Sequence, residues 1–256
     1  MTRSFPTAPT IDFNAARALT DSGSISELEF TMPCNETVVP GVLWKGRINS
    51  DRVPLILLQH GGSGHKQDEA NRDLGTRLVS ALGCLVAALD GPVHGSRAAA
   101  PSDAAATQAA FRESWTKGTH TESFVDEWTA AIDALVALPY VDAERVGWCG
   151  VSMGTAFGVP ICAKCPVIRS AVLGKWSINQ RGSQHLVAMA QEIRSSVLFV
   201  QHWDDEFFDR SGTHELFDAL GTSDKRMYAY PGGHHHRTEE ELNAYIHHFQ
   251  RSLLIF

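Results

Sequence analysis

The sequence predicts an α/β protein: a mostly parallel central sheet of about eight strands, helices on both faces, and no large lid domain. Three observations predict it. Short apolar runs alternate with segments of helical periodicity along most of the chain. Several of these runs are apolar without alternation, as suits strands buried on both faces. Most end at glycine-rich or acidic turns, and ligands bind at such carboxyl ends of parallel strands.

The chain has 256 residues, 43% of them hydrophobic, enough for one sizeable core. No internal repeat or low-complexity linker divides it, so residues 1–256 are expected to form a single domain. The formal net charge of −7, with no Lys/Arg cluster, argues against a nucleic-acid groove. No apolar run reaches membrane-span length, and residues 1–13 lack a signal-peptide core. Five cysteines, an odd number in mostly apolar settings, fit a reducing compartment. The expectation is a cytoplasmic protein with no membrane association.

Residues 1–24, with Pro6 and Pro9, read as an irregular lead-in with a short helix at 13–19. Residues 25–32 alternate as a half-exposed strand, and 38–45 form its hairpin partner. The apolar run 53–59 ends at His60-Gly61-Gly62. Leu74, Leu78 and Leu82 make one stripe of a helix over 73–82. Strand 84–89 stops at Asp90. The long irregular piece 91–122 holds a short helix at 102–115 and supplies pocket cover. A helix over 126–138 ends before Pro139.

Strand 145–149 leads into Gly150-Val151-Ser152-Met153-Gly154 and then an apolar helix over 155–163. A serine flanked by glycines at minus two and plus two, between strand and helix, is the pattern of a nucleophile elbow. The turn leaves no room for side chains at the flanking positions and lifts the hydroxyl above the sheet. Met153, opening the helix, would aim its N–H at an anion beside that hydroxyl. Strand 170–173, helix 183–193, strand 197–201, helix 213–220 and strand 226–230 follow. The last helix begins at Thr238, with Glu241 completing a capping box.

A serine hydroxyl needs a base, and the base needs an orienting carboxylate. After Ser152 the carboxylate candidates sit in Asp204-Asp205-Glu206-Phe207-Phe208-Asp209. The base candidates sit in His234-His235-His236. That order, Ser…Asp…His, is the α/β-hydrolase order. From about residue 25 to 256 the chain resembles the α/β-hydrolase superfamily, near its dienelactone-hydrolase and prolyl-oligopeptidase-like branches. The resemblance places the acid at Asp205 rather than Asp204, with Asp209 third. In its pattern G-x-x-D-x-x-V-P, His202 stands at the glycine position, Asp205 at the acid, Phe208 at the valine and Asp209 at the proline, so only the acid itself matches. It places the base at His234, with His235 and His236 as one-residue slips, and the second oxyanion donor at Gly62 beside Met153. Dienelactone hydrolases use a cysteine nucleophile; here that position is Ser152, and Cys149 lies in the preceding strand. Prolyl-oligopeptidase relatives carry a large N-terminal propeller; with roughly fifty residues before the strand at 53–59, a peptidase of that kind is not expected.

The resemblance therefore implies a serine hydrolase cleaving carboxylic esters of small soluble substrates through an acyl-enzyme, without cofactor. Thioesterase, small-substrate amidase or peptidase, and a non-catalytic binding module are the alternatives. Trp176, Trp203 and Phe207 are expected to wall the pocket, together with His94 and with His60 packing the turn beside it. No metal site is expected: adjacent histidine side chains diverge, and Cys162-Ala163-Lys164-Cys165 is a lone CxxC. His247 and His248 are expected at a helix surface. The apolar tail 253–256 packs inward or across a homodimer.

Overall fold

The computed structural model describes residues 10–14, 16–19, 24–48, 50–100 and 103–254. Their strands form a single sheet. β1 (Asp12–Phe13) and β2 (Arg17–Ala18) pair with β3 (Ser26–Cys34), which forms a hairpin with β4 (Thr37–Lys45). The parallel part comprises β5 (Val53–Leu58), β6 (Leu85–Leu89), β7 (Val141–Cys149), β8 (Ile168–Gly174), β9 (Ser196–His202) and β10 (Lys225–Tyr230). The order is β1-β3-β4-β6-β5-β7-β8-β9-β10, with β2 beside β3.

The two faces of β5 show why unbroken apolar runs make central strands. Leu55 and Leu57 enter one core, Ile56 and Leu58 the other, and all six residues of the strand are buried. Each such side chain removed from water contributes about 1.5–3 kcal/mol. One face is covered by α1 (Glu69–Leu82) and α7 (Glu239–Phe249). The other is covered by α2 (Ala104–Lys117), α3 (Thr121–Val136), α4 (Met153–Lys164), α5 (Leu186–Ala190) and α6 (Arg210–Ala219). Thr238 caps α7 by accepting the Glu241 N–H, but the capping box expected there is only half formed, because the Glu241 carboxylate turns to His202 and Tyr245.

Several elements differ from the sequence expectation. The described residues of 13–19 are not helical: two short strands there satisfy the outer edge of β3. The 102–115 helix spans all of Ala104–Lys117, capped by Asp103 and closed by Gly118 in the left-handed region. Helix 183–193 shrinks to Leu186–Ala190. Turns flank it on both sides, and the Ala190 carbonyl is taken by the N–H groups of Ile193 and Gly221. His248 is buried at 5% exposure, with its Nε2 3.3 Å from the Ser196 carbonyl, and is not at a surface. Leu253 packs into the core beside α7, while residues 255 and 256 of the apolar tail lie outside the described residues.

Candidate active site

The geometry of the site begins with the turn at Ser152. Its backbone sits at φ 61°, ψ −121°, a conformation that costs a non-glycine residue about 1–3 kcal/mol. The surroundings hold it there. A Cβ on Gly150 would lie 2.9 Å from the Gly154 Cα, and one on Gly154 would lie 2.9 Å from the Gln59 carbonyl. Both flanking positions therefore exclude side chains. Ser152 N–H donates to the Gly174 carbonyl at 2.9 Å, and Trp148 Nε1 donates to the Gly154 carbonyl at 3.1 Å. Thr155 Oγ1 accepts from Gly174 N–H at 2.7 Å, so the turn is stitched to the end of β8.

Three strand ends converge on this turn. His234 Nε2 lies 2.9 Å from Ser152 Oγ, and His234 Nδ1 lies 2.8 Å from Asp205 Oδ2. Asp205 Oδ1 accepts from the N–H groups of Phe207 (2.9 Å) and Phe208 (3.0 Å). Burial pushes the Asp205 carboxyl up, but the bonds from His234 and these two amides outweigh it and hold it below the usual range. The other acids do different work. Asp204 accepts from Gly232 N–H at 3.2 Å. Glu206 accepts from His234 N–H at 2.8 Å. Asp209 caps α6 and accepts from Gly212, Ser177, Ser211 and Asn179, which hold it far below the usual range.

The loop that carries His234 is fixed from below. His202, where the family pattern has glycine, has Nδ1 2.8 Å from the Gly233 carbonyl and Nε2 2.9 Å from Glu241 Oε2. Glu241, wholly buried on α7, also accepts from Tyr245. A small residue at 202 could not make this link between β9, the His234 loop and α7.

The loops after β5 and β6 are tied by Asp90. It is wholly buried, and it accepts from Lys66 Nζ at 2.7 Å, from Lys66 N–H at 3.0 Å and from Ser96 at 2.9 and 3.0 Å. Burial pushes this carboxyl up, yet Lys66 and the amides outweigh it. Gly62 lies on this tied loop, its carbonyl 3.0 Å from His94 Nε2. Neither the Gly62 N–H nor the Met153 N–H, first in α4, donates to an acceptor among the described residues.

A cavity of about 170 Å³ opens at Ser152, lined by Gly62, Phe111, Trp176, Phe207, Phe208 and His234, with a polar side from Gln108, Arg112, Gln180 and Glu206. Of the residues expected to wall it, Trp176 and Phe207 do. His60 and His94 do not: they lie buried beneath the Gly62 loop, their rings 4.8 Å apart. His60 Nδ1 donates to the Gly61 carbonyl and its Nε2 accepts from Gly91 N–H. Trp203 also falls outside the cavity, 45% exposed with the Arg210 guanidinium 4.6 Å from its ring. The cover expected from 91–122 is supplied by Gln108, Phe111 and Arg112, which share one face of α2. Gln180, Glu206 and Phe208 line the cavity too, beyond the residues expected there.

All five cysteines are buried and unpaired. Burial pushes the Cys149 thiol up to about 12, so it is no nucleophile. Among the described residues no His/Cys/Asp/Glu cluster is placed to hold a metal ion, and no helix is long and apolar enough to cross a membrane.

The buried histidines carry a pH dependence. Burial pushes His60 down to about 4, His94 to about 3 and His248 to about 4. In the unfolded chain histidines protonate near 6.5. Between about pH 6.5 and 4 the unfolded state therefore binds more protons, and stability falls as pH falls. The urea midpoint is expected to be lower at pH 5 than at pH 7.5; an equal or higher midpoint at pH 5 contradicts this.

A mixed sheet with a parallel centre, covered on both faces, with a hydrogen-bonded Ser–His–Asp chain at its strand ends and the serine on a strand-to-helix turn, is the α/β-hydrolase fold. The model of the dienelactone hydrolase family matches residues 50–248. The chain belongs to that family. No curated protein matches it. Among solved structures it is similar to a cold-adapted esterase from an Arctic intertidal metagenomic library, in complex with polyethylene glycol. The two are 30% identical over 94% of this chain and 99% of the other, with a TM-score of 0.81. Two more distant structures share the fold. An acetyl xylan esterase from Thermoanaerobacterium sp. is 16% identical, with a TM-score of 0.70, over 96% of this chain and 88% of its own. A dienelactone hydrolase-like promiscuous phosphotriesterase from metagenomic libraries is 18% identical, with a TM-score of 0.67, over 90% and 99%.

Proposed function

We propose that this chain is a serine hydrolase that cleaves carboxylic esters of small soluble substrates through an acyl-enzyme. The observation that carries the reading is the unbroken hydrogen-bond chain Ser152–His234–Asp205 at the mouth of a small cavity. Membership of the dienelactone hydrolase family and the likeness to an esterase support it.

Ser152 Oγ attacks the acyl carbonyl while His234 Nε2 takes its proton. Asp205 holds the ring with its Nδ1–H toward the carboxylate and stabilises the imidazolium that forms. The N–H groups of Met153 and Gly62 receive the oxyanion. Each such donor is typically worth about 3 kcal/mol of transition-state stabilisation. The loop carrying Gly62 is braced in advance by Asp90, Lys66 and His94, so little reorganisation accompanies charge development. His234 then returns the proton to the leaving alcohol. Water, activated by the same ring, releases the acid. No step calls on a cofactor or metal. The site takes a small molecule and no nucleic acid, and the buried free thiols fit a cytoplasmic setting.

Mixing the enzyme with p-nitrophenyl acetate is expected to release one nitrophenolate per Ser152 in a burst, followed by slower turnover. A matched panel of esters, thioesters and amides should be cleaved fastest at the ester. A folded protein that cleaves no member of the panel contradicts the reading.

A further inference from the structure

The cavity at Ser152 has one aromatic side and one polar side. Phe111, Trp176 and Phe208 form the first; Gln108, Arg112, Gln180 and Glu206 form the second. Beyond the aromatic side lies another groove of about 840 Å³, between the end of α2, the start of α3, the end of α4 and residues 182–192. Its lining includes Trp115, Val125, Pro160, Ala163, Ala188 and Met189.

Two layers of side chains separate the two spaces. Trp115 walls the groove, while its neighbours Phe111 and Trp176 wall the cavity. The Trp115 ring packs edge-on against Trp176 (5.4 Å, 85°) and against Phe157 (5.4 Å, 90°), and lies 6.3 Å from Phe111. Both indoles donate to one hydroxyl: Trp115 Nε1 lies 3.0 Å and Trp176 Nε1 3.1 Å from Ser183 Oγ. Ser183 is wholly buried at 0% exposure. Neither ring can swing aside without abandoning a buried hydrogen bond, and each blocks the other's movement.

We propose that Trp115 and Trp176, pinned together on Ser183, are the end wall of the acyl subsite and confine the enzyme to short acyl groups. This rests on the reading of Ser152 as the acylated nucleophile. The acyl group stays bonded to Ser152 while the alcohol departs and water enters. The closed aromatic side therefore suits the acyl group, and the open polar side suits the alcohol. An apolar cavity of about 150 Å³ holds one benzene, so the space at Ser152 takes about six heavy atoms, an acyl chain of about two to four carbons. Longer chains meet the indole wall, although a groove of ample size lies directly behind it.

The test is a series of p-nitrophenyl esters from acetate through butyrate and hexanoate to octanoate. Wild-type kcat/KM is expected to fall about tenfold or more from butyrate to octanoate. Trp115→Leu removes the outer ring and its N–H, so that the Trp176 ring loses its backing and can give way toward the groove. It should raise the octanoate-to-acetate ratio of kcat/KM about tenfold. Adding Ala188→Trp, on the exposed lining of the groove, should reverse that gain, while Ala188→Trp alone leaves the wild-type profile unchanged. Should Trp115→Leu not fold, Ser183→Ala frees both indoles and carries the same direction of change. Octanoate turnover as fast as acetate in the wild type, or an unchanged ratio in the folded variant, overturns the wall and leaves the esterase reading standing. A folded wild type that cleaves no ester in the series overturns the esterase reading itself.

Discussion

Replacing His234 by alanine is expected to lower kcat by on the order of 10⁶ and to abolish the acylation burst, because the serine then has no base and the alcohol no acid. The neighbouring histidines make this a sharp experiment. His235 stacks edge-on against Phe207 and His234, and the His236 ring packs against Gly232. Neither is joined to Ser152 or to Asp205 by a hydrogen bond among the described residues, whereas His234 bonds to both. His235→Ala should therefore stay within about tenfold of wild type, since it removes a neighbour and not the base. Stopped-flow release of nitrophenolate reads both. A burst that survives in His234→Ala and disappears in His235→Ala contradicts the role given to His234.

The second large effect is expected at Asp205. Asp205→Asn should lower kcat about 10⁴-fold, because the amide imposes the wrong tautomer on the base. The local geometry makes this outcome strict. Asp205 Oδ1 is fixed by the N–H groups of Phe207 and Phe208. An asparagine must keep its oxygen there, which turns its NH₂ toward His234 Nδ1. The ring then carries its proton on Nε2 and cannot take one from Ser152. Asp204→Asn removes no such contact. Among the described residues its carboxylate meets only the Gly232 N–H, at the long distance of 3.2 Å, and activity should stay within about tenfold of wild type. Steady-state kinetics on a short ester compares the two variants directly. Equal losses, or a larger loss at Asp204, contradict the assignment.

The parts of this molecule legible in the sequence are those the backbone itself demands. Gly150 and Gly154 can be read because any side chain there collides with backbone. β5 and β6 can be read because strands buried on both faces have no polar face to show. The order of acid and base after Ser152 can be read because the strand ends occur in chain order. Other features depend on partners far along the chain. Nothing local at 12–18 announces two short strands, which form because β3 offers an unpaired edge. Ser183 looks like a helix start, but its hydroxyl serves two tryptophans, one 68 positions away and one 7.

His94 is the instructive misplacement, and His60 packs the turn as expected without reaching the pocket. A histidine at a strand end points to the substrate by position alone. These two lie instead one layer beneath, bracing the loops after β5 and β6. His202 occupies a glycine position of the family pattern. Its link to Gly233 and Glu241 follows only once β9 and α7 are packed together.

The most direct test of the whole account is labelling of the folded protein with a fluorophosphonate, read by intact mass and peptide mapping. The account predicts one adduct per chain, on Ser152, that is absent from Ser152→Ala and formed far more slowly by His234→Ala. A folded protein that takes no label, or that takes it on another residue while Ser152 stays unmodified, would contradict it.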